Sequence, residues 1–339
     1  MVLIFTATLF FVENFKTQIN YIRNTNRAAH ITLPVSPSLP VNSNPLEINY
    51  MRAKDYPGSK IIIEQSLSPG SNYYRYLSSY QSGGLKIYAL LTIPKGKIPS
   101  GGWPVILFNH GYIPPSAYLT SSSYAVMINP LSAAGYMVFA PDFRGNDNSG
   151  GIPAQPYVSA GYITDSMNAI ASIKQYKNAN PNKIGVVGHS MGGNVTLHDL
   201  VISKDIKVAS ILSGVVGDEK DLINWWNYRY NSRLIVGNDL DTYYKLQQMI
   251  KSHGNPTSNQ NYWNSIDPTK FTQNINVPVQ IQVGSADEVV PISFSANLRD
   301  QLESQGKIVN FQEFPGADHN LSPYIDQAMN NVVLFLINI

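Results

Sequence analysis

Ile184-Gly185-Val186-Val187-Gly188-His189-Ser190-Met191-Gly192-Gly193 runs from a four-residue apolar segment into a G-x-S-x-G pattern with a second glycine behind it. A short apolar segment of this kind suits a strand buried on both faces. The residues that follow, as far as Ser203, are numerous enough for a helix. A serine at such a strand-to-helix turn forms a nucleophile elbow, with its hydroxyl exposed at the tip. Glycine is required on either side because the turn is crowded and the serine backbone is strained. The helix N-terminus beside it favours developing negative charge. Ser190 is therefore a candidate nucleophile.

Outward from this turn the same alternation repeats. Pro104–Asn109, Tyr136–Ala140, Ala209–Leu212 and Val277–Val283 are short, nearly continuous apolar runs. Helical-length segments lie between them, notably Ile163–Tyr176, Ser190–Ser203 and Phe294–Ser304. Strand, helix, strand repeated in this way predicts an α/β fold, a mostly parallel central sheet with helices on both faces. Three more strands are expected upstream, at Lys60–Gln65, Tyr73–Tyr80 and Leu85–Ile93, the last closed by Pro94 and Gly96. More than 60 residues separate Ser213 from Val277, far more than a strand–helix–strand connection needs. About residues 218–262 of this span are expected to form a helical lid insertion over the C-terminal edge of the sheet. Its Trp225 and Trp226 are candidates for lining a substrate pocket; the alternative is that they pack the insertion onto the domain.

A serine hydroxyl alone is a poor nucleophile, and in this arrangement its partners follow in the order Ser, Asp or Glu, His. Of six histidines only His253 and His319 lie beyond the helix after the elbow. His253 sits in a polar Gly-Asn-Pro stretch and reads as a solvated loop residue. His319 follows the apparent last strand, Val309–Phe314, at the sheet edge where open α/β folds bind ligands, and is the candidate base. Asp287, in the loop after Val277–Val283, is the candidate acid that would accept the Nδ1 hydrogen bond. Glu288 is the alternative, while Asp318 adjoins the histidine too closely to face it. A tetrahedral intermediate also needs two backbone donors: the Met191 N–H, and one from the loop Asn109–Pro115.

Composition narrows the function classes. Twenty-four Lys and Arg against 22 Asp and Glu leave a net charge of +2 with no long basic run, which argues against nucleic-acid binding. With no cysteine, disulfides, thiolate metal sites and cysteine nucleophiles are excluded together. No His/Asp/Glu grouping has metal-ligand spacing and no G-x-G-x-x-G follows a strand, so neither a metal nor a cofactor is expected. Met1–Val12 is almost wholly apolar. As a helix it would measure about 18 Å, against a bilayer core of about 30 Å. Residues 14–58 are polar and carry Pro34, Pro37, Pro40 and Pro45 at close spacing. The expected organisation is an apolar segment, 1–13, left from an export signal or membrane anchor, a spacer at 14–58, and a catalytic domain at 59–339. An extracytoplasmic or membrane-anchored location goes with it.

Five motifs occur in order: Asn109-His110-Gly111-Tyr112; Pro141-Asp142-Phe143-Arg144-Gly145; Gly188 to Gly193; Gly284 with Asp287 and Val290-Pro291; and Pro315-Gly316 with Asp318-His319. From about Tyr73 to its C-terminus the chain thereby resembles a stand-alone α/β-hydrolase related to the catalytic domain of prolyl-oligopeptidase-like serine peptidases, a group that includes many esterases. The resemblance implies a triad of Ser190, Asp287 and His319. It further implies that the His110-Gly111 pair positions the Tyr112 amide as the second oxyanion donor, and that Asp142 and Arg144 are structural. About 100 residues precede His110, too few for the β-propeller through which full peptidases admit peptides. The expectation is a serine hydrolase that cleaves small-molecule carboxylic esters, short-acyl or aromatic and including hydroxycinnamoyl esters, through an acyl-enzyme. The alternatives are a peptidase on short peptides, acyl transfer to another acceptor, and a catalytically silent, surface-anchored binding protein.

Overall fold

The computed structural model describes residues 44–235 and 238–337. Within them nine strands make one sheet: β1 (Ile62–Leu67), β2 (Tyr73–Ser82), β3 (Leu85–Pro94), β4 (Trp103–Asn109), β5 (Met137–Pro141), β6 (Ala179–His189), β7 (Ile206–Leu212), β8 (Val279–Gly284) and β9 (Val309–Phe314). Their order is β1-β2-β3-β5-β4-β6-β7-β8-β9. The first three strands pair antiparallel with one another and onto β5, and from β5 through β9 every pairing is parallel. From β4 the chain crosses first to one side, into β5, and then to the other, into β6. Such a reversal opens a crevice at the C-terminal ends of the strands. Here it lies between the ends of β4 and β6, which lead into His110-Gly111 and into Ser190.

The central strands are apolar because helices cover both faces. Along β4, Val105 and Leu107 face one core and Ile106 and Phe108 the other, as the two-residue strand period requires. The first core packs beneath helices α3 (Gly161–Lys174), α4 (Met191–Ile202) and α8 (Ile292–Ser304). The second is closed by α2 (Ala125–Ala133) and α9 (Ile325–Leu336), through Met127, Ile128 and Leu131 and through Met329, Val332 and Leu336. Between β7 and β8 the long connection contains α5 (Glu219–Asn231), α6 (Asn238–His253), α7 (Gln260–Ile266) and a 3₁₀ segment, Pro268–Asn274. Asp218 caps α5 by accepting from the Asp221 N–H, and Asn259 caps α7 by accepting from the Tyr262 N–H.

Two expectations change. The spacer placed at 14–58 ends earlier, because Ile48–Ala53 form a helix, α1, whose Ile48 and Met51 are buried in the first core. Arg52 Nε donates to the Val201 carbonyl, Gly58 N–H to Asn168 and Ser59 N–H to Ser172, so this segment is tied to α3 and α4. Two apolar side chains three residues apart suffice to anchor a short helix, and neither composition nor the nearby prolines reveals that. His253 is the last residue of α6 rather than a loop residue, and its exposed ring stacks on Tyr262 with centroids 3.9 Å apart. The apolar segment 1–13 and the first part of the spacer fall outside the described residues. No helix among the described residues is long and apolar enough to cross a membrane.

If α1 is part of the domain, Met51→Ala should cost about 2–4 kcal/mol, as for other buried large-to-small changes. Urea unfolding would show it; an unchanged midpoint would return the segment to the spacer.

Candidate active site

The local sequence builds the turn that presents Ser190. Its backbone takes φ 56° and ψ −122°, between the last residue of β6 and the first of α4. A side chain at Gly188 would collide with the Gly192 carbonyl and the Thr196 hydroxyl, and one at Gly192 with the Asn109 carbonyl. Both glycines are therefore demanded by close approach. The turn is held by Ser190 N–H to the Leu212 carbonyl at 3.0 Å, and by the Gly193 and Val215 N–H groups, which donate to the Ser190 carbonyl.

Two loops from the far side of the sheet meet this serine. Ser190 Oγ lies 2.9 Å from His319 Nε2, and His319 Nδ1 lies 2.8 Å from Asp287 Oδ2. The other Asp287 oxygen accepts from the Val289 and Val290 N–H groups at 2.8 and 2.9 Å, so the carboxylate is oriented from both ends. Gly284 lets the Asp287 and His319 loops touch, since a Cβ there would meet the Ala317 and Asp318 carbonyls. Glu288 is exposed. Asp318 serves its own turn, accepting from Asn320 N–H and Ser322 N–H. Together these contacts form a hydrogen-bonded Ser–His–Asp chain that can take up a proton from the serine as its oxygen attacks a carbonyl. Residues 122–336 match the prolyl oligopeptidase family, more than half of the sequence. The chain belongs to this family.

Membership makes it a serine hydrolase with an α/β-hydrolase fold, in which esterases and peptidases both occur. It is 26% identical over 224 residues to the uncharacterized peptidase YuxL of Bacillus subtilis, covering 65% of this chain but 30% of YuxL. Among solved structures it is similar to acetyl xylan esterase 1 of a Thermoanaerobacterium species, with a TM-score of 0.61 and 18% identity over 85% of this chain and 90% of that one. It is also similar to dipeptidyl peptidase 4 of Porphyromonas gingivalis, with a TM-score of 0.58 and 17% identity over 79% of this chain and 36% of that one. At such identities these structures establish the fold alone.

The surroundings of this hydrolase serine are neutral. A cavity of about 490 Å³ opens beside Ser190 and His319, walled by Tyr112, Ile113, Tyr124, Val126, Met127 and Ile325 and by the polar His189, Asn320 and Ser322. Tyr112 lies in the loop after β4, and Met191 begins α4 immediately after the serine. Gly111 packs against Ser190, where a Cβ would stand 2.9 Å from the serine Cβ. The oxyanion assignment of Tyr112 and Met191 thus concerns residues adjacent to the nucleophile. Neither tryptophan borders this cavity. Trp226 is buried in the core against Tyr157, which corrects its placement in a substrate pocket. Trp225 is half-buried against Phe294 and the Arg229 guanidinium, and its Nε1–H donates to the Val289 carbonyl in the loop of Asp287. The cavity walls that pattern reading missed come from α2, α9 and the turn before α2. The apolar spacing of Ala328, Met329, Val332 and Leu336 was the available signal for α9; α2 carries Pro130 inside it and no side-chain cap. Among the described residues, no group of three His, Cys, Asp or Glu side chains could hold a metal ion.

Polar groups behind the serine are buried. Burial lowers His110, whose ring lies between Tyr118 and Phe143. Burial pushes Asp142 up to about 8, opposed by the Thr120 hydroxyl that donates to it. Arg144 forms an ion pair with the buried Asp165 at 2.7 Å, as the structural reading of the Asp142-Phe143-Arg144-Gly145 turn implies. Asp199, under the elbow, is pushed up to about 7 by burial, against hydrogen bonds from Ser166 and Asn109.

Two predictions follow from this geometry. Asp287→Asn should lower kcat by about 10⁴-fold through the wrong histidine tautomer, and Glu288→Gln should leave it within about twofold; reversed effects would make Glu288 the acid. The second concerns Asp199, whose carboxyl titrates near 4 in the unfolded chain. Between about pH 4 and 7 the folded protein keeps a proton that unfolding releases, so this contribution to stability falls as pH rises. Asp199→Asn removes it, so the variant's urea midpoint relative to wild type should rise between about pH 5 and 7. A pH-independent difference would contradict the raised Asp199.

Proposed function

We propose that the protein is a carboxylic-ester hydrolase acting on neutral, short-acyl or aromatic esters through an acyl-enzyme. The observation that carries the reading is the cavity beside Ser190, whose lining is largely apolar or aromatic, with Asn320, Ser322 and His189 as further polar groups, and holds neither a carboxylate nor an Arg or Lys. A peptidase that grips a substrate α-ammonium needs an anionic partner at that distance, because a charge is desolvated on binding and must be repaid. A neutral acyl group needs only apolar contact.

In the proposed reaction Ser190 Oγ attacks the ester carbonyl while its proton passes to His319 Nε2. Asp287 holds Nδ1–H and stabilises the imidazolium. The carbonyl oxygen, now an alkoxide, is received by the Met191 and Tyr112 N–H groups. The C–O bond to the alcohol then breaks, His319 returns the proton to the departing oxygen, and the acyl group stays on Ser190. Water attacks that acyl-enzyme with His319 again taking the proton, and His319 returns it to Ser190 Oγ as the ester bond to the serine breaks and the carboxylic acid leaves.

A fluorophosphonate should label wild type and not Ser190→Ala, and p-nitrophenyl esters should be cleaved with kcat/KM at least about 100-fold above any aminoacyl-nitroanilide. Preferential cleavage of the nitroanilide would favour the peptidase instead. Ile325→Trp narrows the cavity, and should raise KM for bulky acyl esters about tenfold or more while sparing acetate esters. Equal effects on both would place the acyl group elsewhere.

A further inference from the structure

Beside Ser190 runs a one-way chain of hydrogen bonds that none of the reaction steps uses. Gly111 N–H donates to the Tyr124 hydroxyl at 2.9 Å. That hydroxyl lies 3.1 Å from His189 Nδ1, and His189 Nε2 lies 3.1 Å from the His319 carbonyl oxygen. Only one placement of protons satisfies all three contacts. A backbone amide can only donate, so the Tyr124 oxygen accepts there and its single proton goes to His189 Nδ1. That nitrogen must then be bare, and the ring carries its proton on Nε2, facing a carbonyl that can only accept. Burial, followed by the nearby His319, holds His189 down at about 3, so the ring stays neutral at ordinary pH.

The chain joins two parts of the site that arrive from different strands. One end is Gly111, which precedes the Tyr112 amide and packs on Ser190. The other is the backbone of His319, whose side chain takes the serine contact. Tyr124 is itself constrained. It takes φ 62° just before α2, and its ring packs against Phe108 at 5.5 Å and His189 at 5.6 Å. A bulky residue at positive φ is strained and persists only where its surroundings over-determine it.

We propose that Tyr124 and His189 are positioning residues, which hold the Gly111–Tyr112 loop and the His319 loop in register around Ser190. The inference rests on the reading of Ser190 as nucleophile and His319 as base. Its physical basis is that donors and base act over narrow distances, so that a displacement of about 1 Å costs about 100-fold in rate.

Tyr124→Phe keeps the ring packing and deletes the hydroxyl, which separates positioning from folding. It, His189→Gln and the double variant would be compared with wild type by the rate of fluorophosphonate labelling, by kcat and KM for p-nitrophenyl acetate, and by Tm. Tyr124→Phe should lower the labelling rate and kcat about 10- to 100-fold, with KM within about twofold and Tm within a few degrees. The double variant should lose little more than the worse single one, because the two residues act as one unit. A loss under about threefold in Tyr124→Phe would overturn the proposal, as would losses that multiply or that track a fall in Tm. If wild type is labelled and Tyr124→Phe equally fast, the positioning role alone fails. If wild type is not labelled at all, the reading of Ser190 fails and takes this one with it.

Discussion

The crowding around Ser190 is the constraint from which the rest of the site follows. A non-glycine residue at φ 56° and ψ −122° is strained by about 1–3 kcal/mol. The strain persists because its backbone is fixed from neighbouring elements: Leu212 at the end of β7 accepts from its N–H, and Gly193 and Val215 donate to its carbonyl. With no Cβ at Gly192, the first turn of α4 presses against the end of β4 at the Asn109 carbonyl. That approach decides what happens next along β4. The chain leaving Asn109 must pass directly beside the serine, and Gly111 is the residue that does so. Strand order and packing therefore bring the residue before Tyr112 against the nucleophile, without a dedicated side chain.

The insertion between β7 and β8 bears on the same site by a different route from the one its composition suggests. Its tryptophans line no part of the cavity beside Ser190. Instead the Trp225 indole N–H holds the Val289 carbonyl, and the Val289 N–H in turn holds Asp287 Oδ1. The ring lies against Phe294 of α8, close to the start of that helix after the acid loop. An aromatic pair with ring centroids 5.1 Å apart, one member in the core and the other reaching a carboxylate loop, is a brace. The loop so held carries Asp287, whose Oδ2 lies 2.8 Å from His319 Nδ1, the kind of contact through which an acid orients a base.

Legibility in the sequence divides along physical lines. Buried parallel strands are short apolar runs whatever their neighbours, so β4 to β8 could be placed from composition alone. The elbow was legible because steric crowding leaves glycine as the only solution on either side of Ser190. Asp287 and His319 were legible because chain order and strand ends limit the choices to a few residues. Tyr124, His189 and Ile325 were not legible, because the contacts that place them beside Ser190 span from 13 to well over 100 residues and follow no local pattern. Ile48 and Met51 escaped for a related reason: a helix of six residues has too little periodicity to stand out, yet two buried side chains fix it. Trp225 and Trp226 misled because aromatic content registers burial without saying what is buried against what.

The same cavity underlies the proposal that esters are the substrates. Apolar walls discriminate weakly, about 1–3 kcal/mol per methylene, so an acyl pocket of this kind sorts substrates by size and little else. Grip on a peptide would require polar partners on both sides of the scissile bond; beside Ile113, Val126, Met127 and Ile325 the lining offers the uncharged Asn320 and Ser322 but no carboxylate, Arg or Lys. What the site does hold in fixed geometry is the hydrogen-bonded chain from Ser190 through His319 to Asp287, along which the serine proton moves only as far as His319. A preorganised path of this type lowers the barrier to attack for any acyl carbonyl that reaches it. The outcome then depends on the leaving group. An ester oxygen is the better leaving group and takes its proton from His319 as the C–O bond breaks, whereas an amide nitrogen depends on that proton more strongly. On the proposed ester reading, selection would then rest more on the leaving group than on the shape of the cavity.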